Sequence, residues 1–268
     1  MKALIALASA AASSVAFSAP TIYNVPLSQI GTKFDNIITA AGGTTIVTPL
    51  IDGQSTYNFT PSGGGTASFT VTRPNGGPID MESGYTSNGI SLSGAVFNID
   101  PDTTSGEPIP GFNSGLKITF SVPINAFGLE IGDWATCCLN GTRPSATQTT
   151  YGVPALGSGL WIAFDGGAAT LPANARSAND NPGYAASRSY TNFIAAIDTS
   201  STFSSITFFG DGFGEFLVAG GSFRFASVAI GSIDNGVVVT PPTGGVPLPG
   251  TLALLGLGLA GLAIRRRV

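Results

Sequence analysis

The chain has 268 residues, of which 43% are hydrophobic and only 10% charged, and its formal net charge is −4. Lys2 and three arginines at the far end lie in apolar terminal segments; without them seven basic residues face fifteen acidic ones, a charge near −8. A surface of that sign repels nucleic acid, so no nucleic-acid partner is expected. The absence of histidine excludes Ser-His-Asp and Cys-His catalysis and removes the commonest zinc ligand.

Met1 and Lys2 lead into an apolar run over residues 3–12, followed by small residues up to Ala19. One positive charge, a short apolar stretch and a small-residue exit predict a signal peptide over residues 1–18. Cleavage is expected after Ser18, with Ala16 and Ser18 at the recognition positions, or after Ala19. Signal peptidase and the secretion machinery are therefore expected partners.

Residues 19–235 read as one exported β domain, since all-β domains often exceed about 200 residues. Residues 117–122 alternate polar and apolar and place Ile118, Phe120 and Val122 on one face. Phe127, Leu129 and Ile131 repeat the pattern around Gly128 and Glu130. Further strands are predicted over 68–72, 90–93, 95–99, 160–164, 193–197, 205–209, 215–218 and 222–230. No stretch of the body shows a helical repeat. Reversals are expected at Ser62-Gly63-Gly64-Gly65, at Pro74-Asn75-Gly76-Gly77-Pro78 and at Asn140-Gly141. Residues 168–189, with Asn181-Pro182-Gly183, read as a long loop. Many short strands joined by Gly-rich turns predict an all-β fold, a β-sandwich of jelly-roll type. It is flanked by the signal peptide and a C-terminal apolar helix.

Residues 236–245, with Thr240-Pro241-Pro242-Thr243, read as an extended Pro/Gly linker. Residues 246–268 then form a tail in three parts. Val246-Pro247-Leu248-Pro249-Gly250 comes first, an uncharged apolar run over 251–264 second, and Arg265-Arg266-Arg267 third. The run is short for a spanning helix, which needs about 20 residues. Counting from Val246 and letting the arginine stems snorkel brings it close to that length. The arginines then stop the helix on the cytoplasmic side, and the body lies across the membrane.

This tripartite tail resembles the PEP-CTERM sorting domain, in a variant where Leu248 stands in place of the family's central Glu. The resemblance implies processing near Val246–Gly250 by an exosortase, a membrane-embedded transpeptidase for which these residues are substrate. It also implies the cell surface or extracellular matrix as destination, and association with exopolysaccharide. The segment 205–216, with the strand over 127–133, is similar to sandwich domains that precede such tails.

Within the body, glycoside hydrolysis would need two carboxylates about 5–9.5 Å apart. Asp211 with Glu215, and Glu130 with Asp133, are the candidate pairs. A structural calcium ion would draw on Asp100, Asp102 and Glu107 beside Asn98, or on Asn179, Asp180 and Asn181. Neither cluster has EF-hand spacing, and no other cofactor is expected. Sugar stacking would use Trp134, Tyr151, Trp161, Tyr184 and Tyr190. The only cysteines, Cys137 and Cys138, are neighbours that could pair with each other, bridge to another chain or stay as thiols. The expected role is structural or adhesive, with no catalytic residue. A lectin-like carbohydrate-binding module is the alternative, and a carboxylate-dependent glycosidase ranks behind both.

Overall fold

Antiparallel strands take up 46% of the described chain, and where their residues alternate the period of two gives a strand one apolar face to bury. The computed structural model describes residues 20–87, 90–92, 94–99, 115–211, 217–234 and 237–238. In chain order the strands begin with β1 (Thr21–Pro26), β2 (Ile46–Pro49), β3 (Thr56–Phe59) and β4 (Ala67–Thr72). The next are β5 (Met81–Glu82), β6 (Tyr85–Ser87), β7 (Ile90–Leu92) and β8 (Val96–Ile99). After these come β9 (Leu116–Ile124), β10 (Ala126–Gly132), β11 (Ser158–Phe164) and β12 (Thr170–Ala175). The last are β13 (Thr191–Ile197), β14 (Phe203–Phe209), β15 (Leu217–Ala226), β16 (Ile233–Asp234) and β17 (Val237–Val238). Three short helices, α1 (Asn36–Ala40), α2 (Ser145–Tyr151) and α3 (Pro182–Ser187), interrupt them.

Two antiparallel sheets dominate. The first runs β1-β13-β10-β15-β8-β5, with β2 also paired to β15, and the second runs β12-β11-β14-β9-β4-β3. From β8 onward the pairing is nested: β8 with β15, β9 with β14, β10 with β13 and β11 with β12. The inner faces of the sheets meet through aromatic side chains. Phe69 of the second sheet lies 5.9 Å from Phe223 and 5.5 Å from Phe225 of the first, and Phe120 lies 5.9 Å from Phe127. Ile118 and Phe120 are buried in this core and Val122 packs on its edge, as the alternation over 117–122 predicts.

The first sheet is buried on its outer face as well. Phe34 and Ile38, one helical turn apart, pack with Phe193, Ala195, Ile197 and Ala226. Beside them the hairpin β6–β7 lays Ile90 and Leu92 on Val96 and Val218. Glycines on β10 make room for these layers. A Cβ at Gly128 would run into the Phe193 ring and lie 2.9 Å from Ala195 Cβ; at Gly132 it would lie 2.9 Å from Leu92 Cδ1.

Three expectations need correction. Residues 215–218 and 222–230 are not two strands: β15 is continuous from Leu217 to Ala226, and Ile230 lies beyond it, exposed. The glycines between the predicted strands form a bulge, where pairing with β10 jumps from Leu129–Phe223 to Glu130–Gly220 and Gly221 takes φ 69°. The stretch 168–189 is not a loop but holds β12, a 3-10 turn over Ala178–Asp180 and α3. Asn181-Pro182-Gly183 is a helix start. The Asn181 side chain accepts from the Gly183 and Tyr184 amides, and Pro182 stands at the first helical position. Finally, helices of five to seven residues are present in the body, too short for an apolar repeat to register in sequence.

The predicted turns over 62–65, 74–78 and 140–141 are present, with Gly76 N donating to Arg73 O and Gly141 N to Cys138 O. Residues 1–18, most of the linker and the whole tail lie outside the described residues. Among the described residues no helix is long and apolar enough to cross a membrane.

Candidate functional site

Among the described residues, the densest polar constellation is buried. Arg143, in the connection before α2, has a side chain only 1% exposed and forms a two-pronged ion pair with Asp211. Its Nε donates to Asp211 Oδ1 at 2.9 Å and its Nη2 to Asp211 Oδ2 at 2.6 Å. Of the remaining guanidinium hydrogens, the one on Nη2 is shared by Asn174 Oδ1 at 2.6 Å and the Gly157 carbonyl at 3.2 Å, and those on Nη1 go to the carbonyls of Pro154 and Leu156. Trp161 Nε1 donates to the same Asp211 Oδ1 at 2.6 Å. Every strong donor of the guanidinium is thus directed at an acceptor, the condition under which a buried charge is tolerated. Sequence reading missed Arg143, because a lone arginine in a Gly-Thr-Arg-Pro turn carries no pattern that points to burial.

This arrangement commits Asp211 to structure, which counts against it as a hydrolytic carboxylate; its proposed partner Glu215 lies outside the described residues. The second pair lies on and just after β10. Glu130 sits on the outer face of β10, where burial pushes its carboxyl above the usual range while nearby Arg224 pulls the other way. Asp133 directly follows β10 and accepts a hydrogen bond from the Tyr85 hydroxyl of the covering hairpin. Burial and this contact push the Tyr85 phenol up to about 12.

The five aromatics proposed for sugar stacking do not form one platform. Trp134 and Trp161 are 1% and 0% exposed and present no ring face to a ligand, a correction with a simple cause. Each indole N–H has an interior acceptor, Ser158 O for Trp134 and Asp211 for Trp161, so burial leaves no donor unsatisfied. Tyr151 packs edge-on against Trp161 at 5.4 Å. Tyr184 and Tyr190 do come together, half-buried, with ring centroids 4.5 Å apart. Tyr190 also packs on the Ile90–Leu92 cluster, and the exposed Arg188 guanidinium lies 4.9 Å from the Tyr184 ring. Burial and neighbouring Tyr184 raise the Tyr190 phenol above its ordinary value.

For calcium, Asp100, Asp102 and Glu107 lie outside the described residues. Asn98 donates from Nδ2 to Glu82 and accepts from Arg73 through its carbonyl. In the other cluster each side chain has a local task. Asp180 accepts from the Arg176 and Ser177 amides, which hold its carboxyl below the usual range; Asn181 caps α3; Asn179 accepts from Arg188. Among the described residues no group of three or more His, Cys, Asp or Glu could hold a metal ion.

Among the described residues, two clefts open between the sheets. One, of about 220 Å³, is apolar and lined by Ile46, Phe59, Pro61, Val122, Ile124 and Phe225. The other, of about 560 Å³, is polar, with Asp52, Ser55, Thr72 and Asp80 among its lining residues and no aromatic ring. Cys137 and Cys138, finally, are joined to each other by a disulfide.

The decisive feature lies in the tail. Residues 245–267 match the PEP-CTERM protein-sorting motif, one residue off the boundaries expected from sequence. The chain carries a PEP-CTERM protein-sorting tail. The PEP-CTERM match spans Val246, Pro247, Leu248, Pro249 and Gly250 and the arginines 265, 266 and 267, so Leu248 does not remove the tail from its class. A PEP-CTERM motif marks an exported protein sorted to the cell surface by an exosortase-type enzyme acting near the C-terminus. No curated protein matches the chain.

Proposed function

We propose that this protein is a structural or adhesive component of the cell surface or extracellular matrix that associates with exopolysaccharide. In this reading the signal peptide directs export, the apolar run over 251–264 with Arg265–Arg267 holds the chain in the membrane, and processing then frees the body. We read the body as a jelly roll, supported by the nested pairing of β8 with β15 through β11 with β12 and by the alternation of these strands between two sheets. We assign it no catalytic role and no cofactor. Support comes from the engagement of its candidate carboxylates: Asp211 with Arg143 and Trp161, Asp133 with Tyr85.

The observation that carries the proposal is the PEP-CTERM motif. The test is intact-mass analysis of the tagged protein from cells with and without the exosortase-type enzyme. Loss of the tail from near Val246 only where the enzyme is present is the expected result. An identical, uncut, cytosolic product in both strains would overturn the sorting reading. For the polysaccharide, retention of the processed protein on the native matrix, but not on an unrelated neutral glucan, is expected. Equal recovery on both would remove that part of the reading.

A lectin-like reading has one observation in its favour: Tyr184, Tyr190, Arg188 and Asn179 share one surface. Because the two rings pack against each other, tilted by 30° with centroids 4.5 Å apart, a glycan would meet hydroxyls and the guanidinium more readily than open ring faces.

A further inference from the structure

Cys137 and Cys138 form a disulfide between chain neighbours, with Cα atoms 3.8 Å apart. A cross-link stabilises a fold chiefly by closing a long loop in the unfolded chain, and this one closes none. Its presence therefore calls for a reason other than stability.

Its placement suggests one. The bond sits on the connection leaving β10, with Cys137 exposed and Cys138 half-buried. Both flanks are clamped. On one side Trp134 is buried and donates to Ser158 O, while its own carbonyl accepts from Asn181 Nδ2 at 2.8 Å. Asp133 N donates to Tyr190 O at 3.0 Å. On the other side stand the Arg143 ion pair and the Gly157 N to Gly141 O bond. Between these anchors Asp133, Ala135 and Cys138 adopt φ of 67°, 72° and 58°, a left-handed conformation that non-glycine residues seldom take. Such clusters persist only where surrounding contacts hold them, and they concentrate at working sites. The sequence thus holds, between two anchored segments, a disulfide whose two residues lie outside the hydrophobic core clusters.

We propose that Cys137–Cys138 is a thiol-exchange site at which a small-molecule thiol becomes reversibly and covalently attached to Cys137. The incoming thiolate attacks Cys137 Sγ, on the more exposed of the two residues. A new S–S bond forms there as the Cys137–Cys138 bond breaks, and the electron pair leaves on Cys138 Sγ, which takes a proton from water. The product is a mixed disulfide at Cys137 with a thiol at Cys138, with no net oxidation. Return follows the same path backwards: the Cys138 thiolate attacks Cys137 Sγ and expels the guest as thiolate. Because the resolving sulfur belongs to the adjacent residue, the return needs no encounter with a second molecule. That the bond is formed in the cell at all rests on export to an oxidising compartment; the chemistry of the purified protein does not.

The test uses the purified folded protein with reduced glutathione as probe, quenched with N-ethylmaleimide and read by peptide mass spectrometry. One glutathione on Cys137 and one maleimide on Cys138 of the same chain are expected without denaturant, at a rate within about tenfold of the unfolded chain. The opened protein, and a Cys137→Ser/Cys138→Ser variant, should melt within about 2 °C of the parent. Opening only after denaturation, glutathione on Cys138, or loss of the cooperative melt on opening would each overturn the proposal. None of these outcomes bears on tail processing, so the two readings fail separately.

Discussion

Replacing Arg143 by Met tests whether the buried ion pair is a principal fastening of the second sheet's end. The side chains of Arg143 and Asp211 are 1% and 5% exposed, and the guanidinium also serves Asn174 Oδ1 and three carbonyls. Among the described residues, removing it leaves the buried carboxylate with only the Trp161 N–H as partner and orphans the other acceptors. Breaking a buried pair from one side costs about 3–5 kcal/mol. For a domain of this size each kcal/mol lowers the melting midpoint by roughly 2–4 °C, so a drop of about 6–20 °C is expected. Asp211→Asn keeps an oxygen for Trp161 but strands the guanidinium charge, and should cost somewhat less. The double variant Arg143→Met/Asp211→Asn buries no net charge, so its loss should fall short of the summed single losses by about 2 kcal/mol. Urea unfolding followed by tryptophan fluorescence reads this directly, because Trp161 touches the pair. Single losses below about 1 kcal/mol, or additivity within about 0.5 kcal/mol, would refute the reasoning.

Four other outcomes follow from the same structure. Gly128→Ala should cost about 1–3 kcal/mol in thermal unfolding, since its Cβ would displace Phe193 beneath the Phe34 layer. Glu130 has its folded carboxyl raised by burial, so its share of stability is complete below the unfolded value near ~4.3 and is lost as pH rises through the folded value. Glu130→Gln should therefore melt above the parent at neutral pH, with the gap closing near pH ~4. The Tyr85 phenol, pushed up to about 12, should supply stability below the ordinary tyrosine value and lose it as pH climbs towards about 12; a phenolate absorbance titration of Tyr85→Phe should lack that late step. Pro247→Ala/Pro249→Ala should leave the tail uncut in cells that process the parent, measured as intact mass of the surface fraction.

Much of this was legible in the residues. The tail declared itself through order alone: a short proline motif, an uncharged run and an arginine cluster, each with a local physical meaning. The central strands were equally readable. Over 117–122 and 127–131 every second residue is apolar, and a strand with one buried face has no other way to be written. Where both faces are buried the pattern blurs. β13 is buried at all seven positions and reads only as an apolar run, with no hint that a helical layer covers its outer side. The short helices escaped notice for a related reason: α3 is announced by its cap and its proline, while its six residues offer too little periodicity to count.

The candidate site divides along the same line. Composition and residue order determined export, sorting and an all-β body, because charge, hydropathy and alternation act along the chain and need no partner. Only the tertiary structure decided that both tryptophans face inward and that Asp211 answers Arg143. It also joined Cys137 to Cys138 and mounted that bond at the surface. Those outcomes depend on which groups from distant segments meet and on whether each buried donor finds an acceptor there. Linear spacing holds no record of such meetings: Arg143 and Asp211 are 68 residues apart and bonded at 2.6 Å.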